Sequence, residues 1–169
     1  MPDVCDLILD DHEEFRRRFA ELDELRGQGG EAALLEPVWG PLAAKLEVHA
    51  SAEEEIFYPR LMKEGSRAEE ETSDAIDDHN EIRDAIRRAG SEATGSDGWW
   101  GAVSAARKAN SDHMAEEERG ALADFRVHAA AEQRQEMGAI WVDYEARHAG
   151  GRGVDTTDED KDAYLSRHR

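Results

Sequence analysis

Apolar residues recur at helical spacing in five segments of the chain. From Val4 to about Arg26, Ile8, Phe15, Phe19 and Leu22 form one stripe, and Gly27, Gly29 and Gly30 end it, because closely spaced glycines favour an unwound backbone. A second segment starts near Glu31, carries Leu42, Leu46, Ile56, Phe57 and Leu61, and stops at Gly65. Pro37 and Pro41 disturb its early turns, and Pro59 predicts a bend, since proline has no N–H and crowds the turn before it. The third segment, about Ser66 to Ala93, presents Ile76, Ile82 and Ile86, and the cluster Gly95, Ser96, Asp97, Gly98 closes it. A fourth runs from about Trp99 to Phe125. A fifth, about Ala130 to His148, carries Met137, Ile140, Trp141 and Tyr144. After Gly150 the chain is polar and glycine-rich, acidic from Asp155 to Asp162, which predicts a flexible tail in which Tyr164 and Leu165 could instead dock as a short helical turn.

Runs of β-branched residues are missing, so the expected fold class is all-α. A repeat organises the helices. Ile8-Leu9-Asp10-Asp11-His12-Glu13-Glu14-Phe15-Arg16 on the first resembles Ala75-Ile76-Asp77-Asp78-His79-Asn80-Glu81-Ile82-Arg83 on the third, with the histidines in register. The second helix offers His49 with Glu53 and Glu54, the fourth His113 with Glu117 and Glu118. This order describes two helical hairpins related by a pseudo-two-fold axis. One domain of residues 1–149 is expected, followed by the acidic tail of residues 150–169.

His49 and Glu53 are four apart, as are His113 and Glu117, so each pair lies one turn apart on one face. That face is the apolar one. His12 stands in line with Ile8, Phe15 and Phe19, and His49 and Glu53 continue the row of Leu42, Leu46 and Ile56. His79 falls between Ala75, Ile82 and Ile86, while His113 and Glu117 extend Ala102 and Ala106 toward Ala121. A single histidine on such a stripe is ordinarily a packed core residue. Four on four helices, two with an aligned carboxylate, point to a metal, because bare carboxylates in an apolar core cost several kcal/mol unless a positive charge compensates them. Mixed imidazole and carboxylate donors suit iron, manganese or zinc, whereas calcium and magnesium prefer oxygen alone. If Glu53 and Glu117 both bridge two octahedral ions, about four of roughly twelve coordination positions remain for small exogenous ligands.

The formal charge of -19 in 169 residues repels phosphate backbones and anionic headgroups, so neither nucleic acid nor a membrane is an expected partner. No segment approaches the roughly 18 apolar residues of a membrane span and no basic leader precedes the first helix, so a cytoplasmic location is expected. Cys5 is the single cysteine and reads as a half-buried small residue. Trp39, Trp99, Trp100 and Trp141 read as packing residues. No phosphate loop, nucleotide fingerprint or Ser-His-Asp order is visible.

A lone histidine on the first helix, His-x-x-x-Glu on the second, histidine on the third and His-x-x-x-Glu on the fourth resemble the ligand pattern of hemerythrin-like proteins with HHE cation-binding domains. Glu53-Glu54-Glu55-Ile56-Phe57-Tyr58-Pro59 is similar to a recurrent segment of that family. The resemblance covers about residues 3 to 126. It implies an up-and-down four-helix bundle, here with an additional C-terminal helix and the flexible tail. It also implies a non-haem centre of two Fe ions with oxo, hydroxo or carboxylate bridges, zinc or manganese ranking behind iron. The implied metal ligands are His12, His49, Glu53, His79, His113 and Glu117; no catalytic residue is assigned. Implied small partners are O2, H2O2 or NO, and the expected state is a monomer or weak homodimer with no protein partner specified.

Two positions depart from the oxygen-carrying members. Arg83 stands where they have a second third-helix histidine, and Glu118 stands where they have an aspartate. Fewer protein ligands leave more open positions, which favours redox chemistry on small oxidants over reversible oxygen carriage, with catalase-like peroxide disproportionation first. His128 and His148 read as surface residues, although either could replace the missing histidine, and Tyr58 as a packing residue whose hydroxyl could reach a bound oxygen species. The alternatives are a non-catalytic iron, oxygen or redox sensor acting as an interaction module, and a metal-free structural bundle.

Overall fold

The computed structural model describes residues 2–169, and among them every regular element is helical. Eight α-helices follow one another: α1 (Val4–Gly27), α2 (Ala32–Ala52), α3 (Tyr58–Glu64), α4 (Ala68–Gly90), α5 (Asp97–Arg119), α6 (Ala121–His128), α7 (Ala131–Arg147) and α8 (Lys161–His168). Side chains close the exposed first turns of three of them. Asp3 accepts from Cys5 N–H ahead of α1, Ser96 from Trp99 N–H ahead of α5, and Asp160 from Ala163 N–H ahead of α8, each satisfying an amide that has no partner inside the helix. Helices α1 and α2 form one hairpin and α4 and α5 the other, and together they make the bundle, with α7 laid against α1 and α2 and α8 against α4.

Two of the expected long helices are interrupted. Between α2 and α3, residues Glu53–Phe57 form a π-helical turn in which Tyr58 N–H bonds to the carbonyl of Glu53, five residues back. Pro59 has no N–H to continue that register. The carbonyl of Glu54 is taken instead by the hydroxyl of Tyr164, at 2.5 Å. The bend predicted at Pro59 is thus a wider turn just before it, and it falls on the segment that carries Glu53. Helix α5 ends at Gly120, whose backbone is not helical (φ -107°, ψ -91°). A Cβ there would lie 2.9 Å from the Glu71 carboxylate.

Apolar packing is divided into two clusters. One contains Ile8, Phe57, Leu61, Ile76, Leu122, Phe125 and Trp141; the other contains Phe15, Phe19, Leu22, Trp39, Leu46, Ile82 and Trp99. Between them lies a layer of buried polar side chains. The segment after Gly150, predicted as a flexible tail, takes the docked arrangement: Tyr164 and Leu165 are buried on α8, Asn80 bonds to the backbone of Glu159 in both directions, and Arg87 holds Thr156 and Asp158. An acidic stretch can lie on this acidic protein because Arg87 and Asn80 give it a cation and a paired amide at the points of contact.

Candidate metal centre

The polar layer consists of His12, His49, Glu53, His79, His113 and Glu117, with Asp11, Ser51, Thr72, Arg83 and Asn110 also buried. Each of the six expected ligands is delivered by the inward stripe of its own helix, and the π-turn aims Glu53 into the middle, where none of its surface is exposed. Two groups of donor atoms result. In the first half, His49 Nε2 stands 2.8 Å from one oxygen of Glu53, and His12 Nε2 stands 3.2 Å from Glu117 Oε2. These four atoms lie within 4.8 Å of one another. In the second half, the other oxygen of Glu53 lies 2.9 Å from His79 Nε2 and 3.4 Å from His113 Nε2, and the two imidazole nitrogens are 3.3 Å apart. Glu53 therefore places one oxygen in each half.

Glu117 behaves differently from the expected second bridge. Its Oε2 belongs to the first half and lies 3.9 Å from His113 Nε2, but its Oε1 accepts a 2.8 Å hydrogen bond from the Tyr58 hydroxyl. The reason is the wide turn before Pro59, which brings Tyr58, wholly buried, beneath α5. Burial, and then the charge of Glu117, lifts the Tyr58 hydroxyl well above its ordinary pKa of 10, so it keeps its proton and donates it.

His12 Nε2, His49 Nε2, Glu53 Oε1 and Glu117 Oε2 are buried, and none makes an aligned hydrogen bond among the described residues. Buried polar atoms without partners are rare and costly. Four that face one point are explained by a cation. Bonds of about 2.1 Å put neighbouring donors of an octahedral ion roughly 3 Å apart, close to the separations of 2.8 and 3.2 Å found here.

On their far sides the imidazoles all meet acids. Nδ1–H of His12 faces Glu118 at 2.9 Å, that of His49 faces Asp11 at 2.8 Å, that of His79 faces Glu54 at 2.8 Å, and that of His113 faces Asp78 at 3.5 Å. A proton held on Nδ1 leaves the Nε2 lone pair for the interior, the usual setting of a metal-binding histidine. The pattern follows the repeat. Asp11 and Asp78 serve the histidine of their own hairpin, whereas Glu54 and Glu118 serve the opposite hairpin. Two arginines complete it, Arg16 holding Glu118 at 2.7 Å and Arg83 holding Glu54 at 2.8 Å. Arg83, read as the place of a missing histidine, is only 2 % exposed and braces the acid behind His79. His128 instead pairs with Asp124, and His148 lies on the Tyr144 ring and the Arg152 carbonyl, so neither stands in for it.

Without a cation the layer redistributes protons. Burial presses the His49 imidazolium down, but Glu53 and Asp11 outweigh it and raise its pKa from 6.5 to about 10. His113 is raised against its burial by Asp78 and Glu53. Burial pushes Glu53 up, and the histidines pull it well below the usual carboxylate range. The same ionised carboxylates that keep protons on the imidazoles here would favour a metal in place of those protons.

Residues 3–125 match the Hemerythrin HHE cation binding domain. The chain belongs to that family. Neither a curated protein nor a solved structure matches it. As an HHE domain with a convergent histidine and glutamate layer, it fits a metal-binding bundle. No helix among the described residues is long and apolar enough to cross a membrane.

The four acids behind the histidines and the arginines behind two of those acids were missed in the sequence. Their signal was present: the histidine is preceded by Asp in both repeats, the glutamate is followed by a second Glu, and an Arg stands four residues after each lone histidine.

Proposed function

We propose that this HHE domain holds two iron ions and binds or turns over a small neutral oxidant, with hydrogen peroxide disproportionation as the leading reaction. His12, His49, Glu53 and Glu117 would hold one ion, and Glu53, His79 and His113 the other. The observation that carries the reading is the set of four buried donor atoms that crowd together at one point without an aligned hydrogen bond. Mixed nitrogen and oxygen donors, with no cysteine among them, favour iron over softer-ligand metals. When bound, such a pair supplies redox equivalents and open positions for a small ligand.

The chain's own residues prepare that chemistry. The acids behind the rings fix each imidazole in one tautomer and one orientation. Phe15 and Trp141 pack edge-on against His49, at 5.1 and 5.4 Å between ring centres, and keep water from that side. Tyr58 holds a proton against Glu117 Oε1 at the edge of the second half. A ligand arriving there meets a buried hydroxyl, and a hydrogen bond in such surroundings is stronger than in water.

Elemental analysis of aerobically purified protein, with its absorption spectrum before and after peroxide, tests the proposal. Two irons per chain with near-ultraviolet charge-transfer absorption and oxygen release on adding peroxide are expected. Protein free of transition metal refutes it.

A second reading, a non-catalytic sensor, draws on the bond from Tyr164 to the Glu54 carbonyl, which ties α8 to the turn that carries Glu53. In a sensor, proteolysis between residues 152 and 160 would change sharply on iron removal. In an enzyme with a permanently docked α8 it would not.

A further inference from the structure

A cavity of about 230 Å³ lies between α4 and α5 and reaches from exposed side chains to the second half of the centre. Its floor is Tyr58, His113 and Glu117, all buried, and its walls carry five further carboxylates against the two guanidiniums of Arg67 and Arg119. We propose that this cavity binds hydrated divalent cations in transit, so that iron(II) reaches its ligands past Glu70, Glu71, Asp74 and Asp78. The identity of the destination rests on the di-iron reading above; the binding of cations in the cavity does not.

Glu70, Asp74 and Asp78 stand at successive turns of one face of α4 and descend from exposed to half-buried. The ladder ends at Asp78, whose carboxylate faces His113. Acids in the first turn of a helix are commonplace, because the helix dipole favours them, and that accounts for Glu70. It does not account for Asp74 or Asp78, which lie deeper in α4, where like charges one turn apart repel.

Glu71 adds an independent sign. Its side chain is only 10 % exposed; one oxygen meets Arg67 at 3.1 Å, while the other is buried with no partner among the described residues. Gly120 leaves the room that this carboxylate occupies. Burial first, and then repulsion from neighbours including Asp124 and Glu70, raises its pKa, and burial followed by the charges of Glu70 and Asp78 raises that of Asp74. A cation would relieve each of these conditions. Among the described residues, three or more donor atoms converge within ligand distance only in the central layer. The cavity therefore grips a cation loosely, with its water, as passage requires.

Two measurements on the full chain test this. Tyrosine-sensitised terbium(III) emission reports a cation beside Tyr58 and needs no iron. Glu71→Gln combined with Asp74→Asn is expected to weaken terbium binding about tenfold and to slow iron(II) uptake by chelator-stripped protein about tenfold, with final iron content and helical circular dichroism unchanged. The distant exposed pair Glu132→Gln and Glu136→Gln is expected to change neither. Terbium binding that is the same in the cavity variant and the unaltered chain overturns the proposal, as does an unchanged uptake rate. Terbium binding lost in the variant, in a protein that takes up no iron at all, would refute the di-iron reading while upholding the cation cavity.

Discussion

The two halves of the centre share a helical repeat but not their surroundings. Behind His49, Asp11 is 2.8 Å away, has a side chain only 8 % exposed, and is itself held by Lys45 at 2.8 Å. Behind His113, the equivalent Asp78 stands off at 3.5 Å and is 23 % exposed. The position matching Lys45 is Ala109, and the position matching Leu122 is Tyr58. Helix α7 closes the first half with Trp141, whereas the second half forms the floor of the acidic cavity. A repeated hairpin thus delivers equivalent donors, and residues outside the repeat make one half a sealed anchor and the other an accessible face. On the proposed di-iron reading, small ligands would exchange in the second half.

The strongest way to break this comparison is to remove what the halves share. Glu53→Gln is expected to empty both halves in elemental analysis, since an amide cannot serve two cations as a charged bridge; one fully retained ion would show that the halves are independent. Single substitutions come next. His49→Ala is expected to lose the anchored ion and keep an azide-induced spectral change, and His113→Ala to lose that change altogether. If both variants respond to azide alike, the assignment of the open face is wrong.

A smaller effect separates the protonated layer from the metal-loaded one. In the chelated protein the folded-state pKa of His49 lies at about 10, above its ordinary 6.5. The resulting stability, on the order of a few kcal/mol, is fully present below pH 6.5 and disappears as the pH rises through about 10. Urea unfolding at pH 6, 8 and 10 measures it, and the loaded protein, whose imidazoles are already neutral, is expected to lack this alkaline decline.

The acids behind the rings sharpen the contrast further. Asp11→Asn is expected to weaken metal binding roughly 10- to 100-fold, and Asp78→Asn less, because its contact is longer and wetter; competition with a coloured chelator ranks them. An equal loss would mean that distance and burial do not matter here. Least of all, Tyr164→Phe removes one hydrogen bond from the π-turn and is expected to lower stability by about 1 kcal/mol in denaturant melts, with bound metal unchanged.

Much of this was legible before folding. The stripes that bury Ile8, Phe15, Leu46 and Ile82 also turn His12, His49 and His79 inward, because a histidine on an apolar face shares the direction of its neighbours. The spacing from His49 to Glu53 and from His113 to Glu117 specified paired donors. What the spacing concealed was exchange between elements. Asp11 reads as a neighbour of His12 but bonds to His49, and Glu118 reads as a neighbour of Glu117 but bonds to His12. Pro59 announced a disturbance, yet only the backbone register showed that the turn before it widens, frees the Glu54 carbonyl and draws Tyr164 onto it.

The periodicity and repeat of the sequence determined by themselves that helices would form, which faces would be buried, and that imidazoles and carboxylates would lie on those faces, since these follow from local geometry repeated every 3.6 residues. The tertiary structure alone decided which acid stands behind which imidazole, that Glu53 spans both halves while Glu117 spends an oxygen on Tyr58, and that one half is sealed and the other open. Those choices depend on distances of a few ångströms between separate helices, and only packing sets such distances.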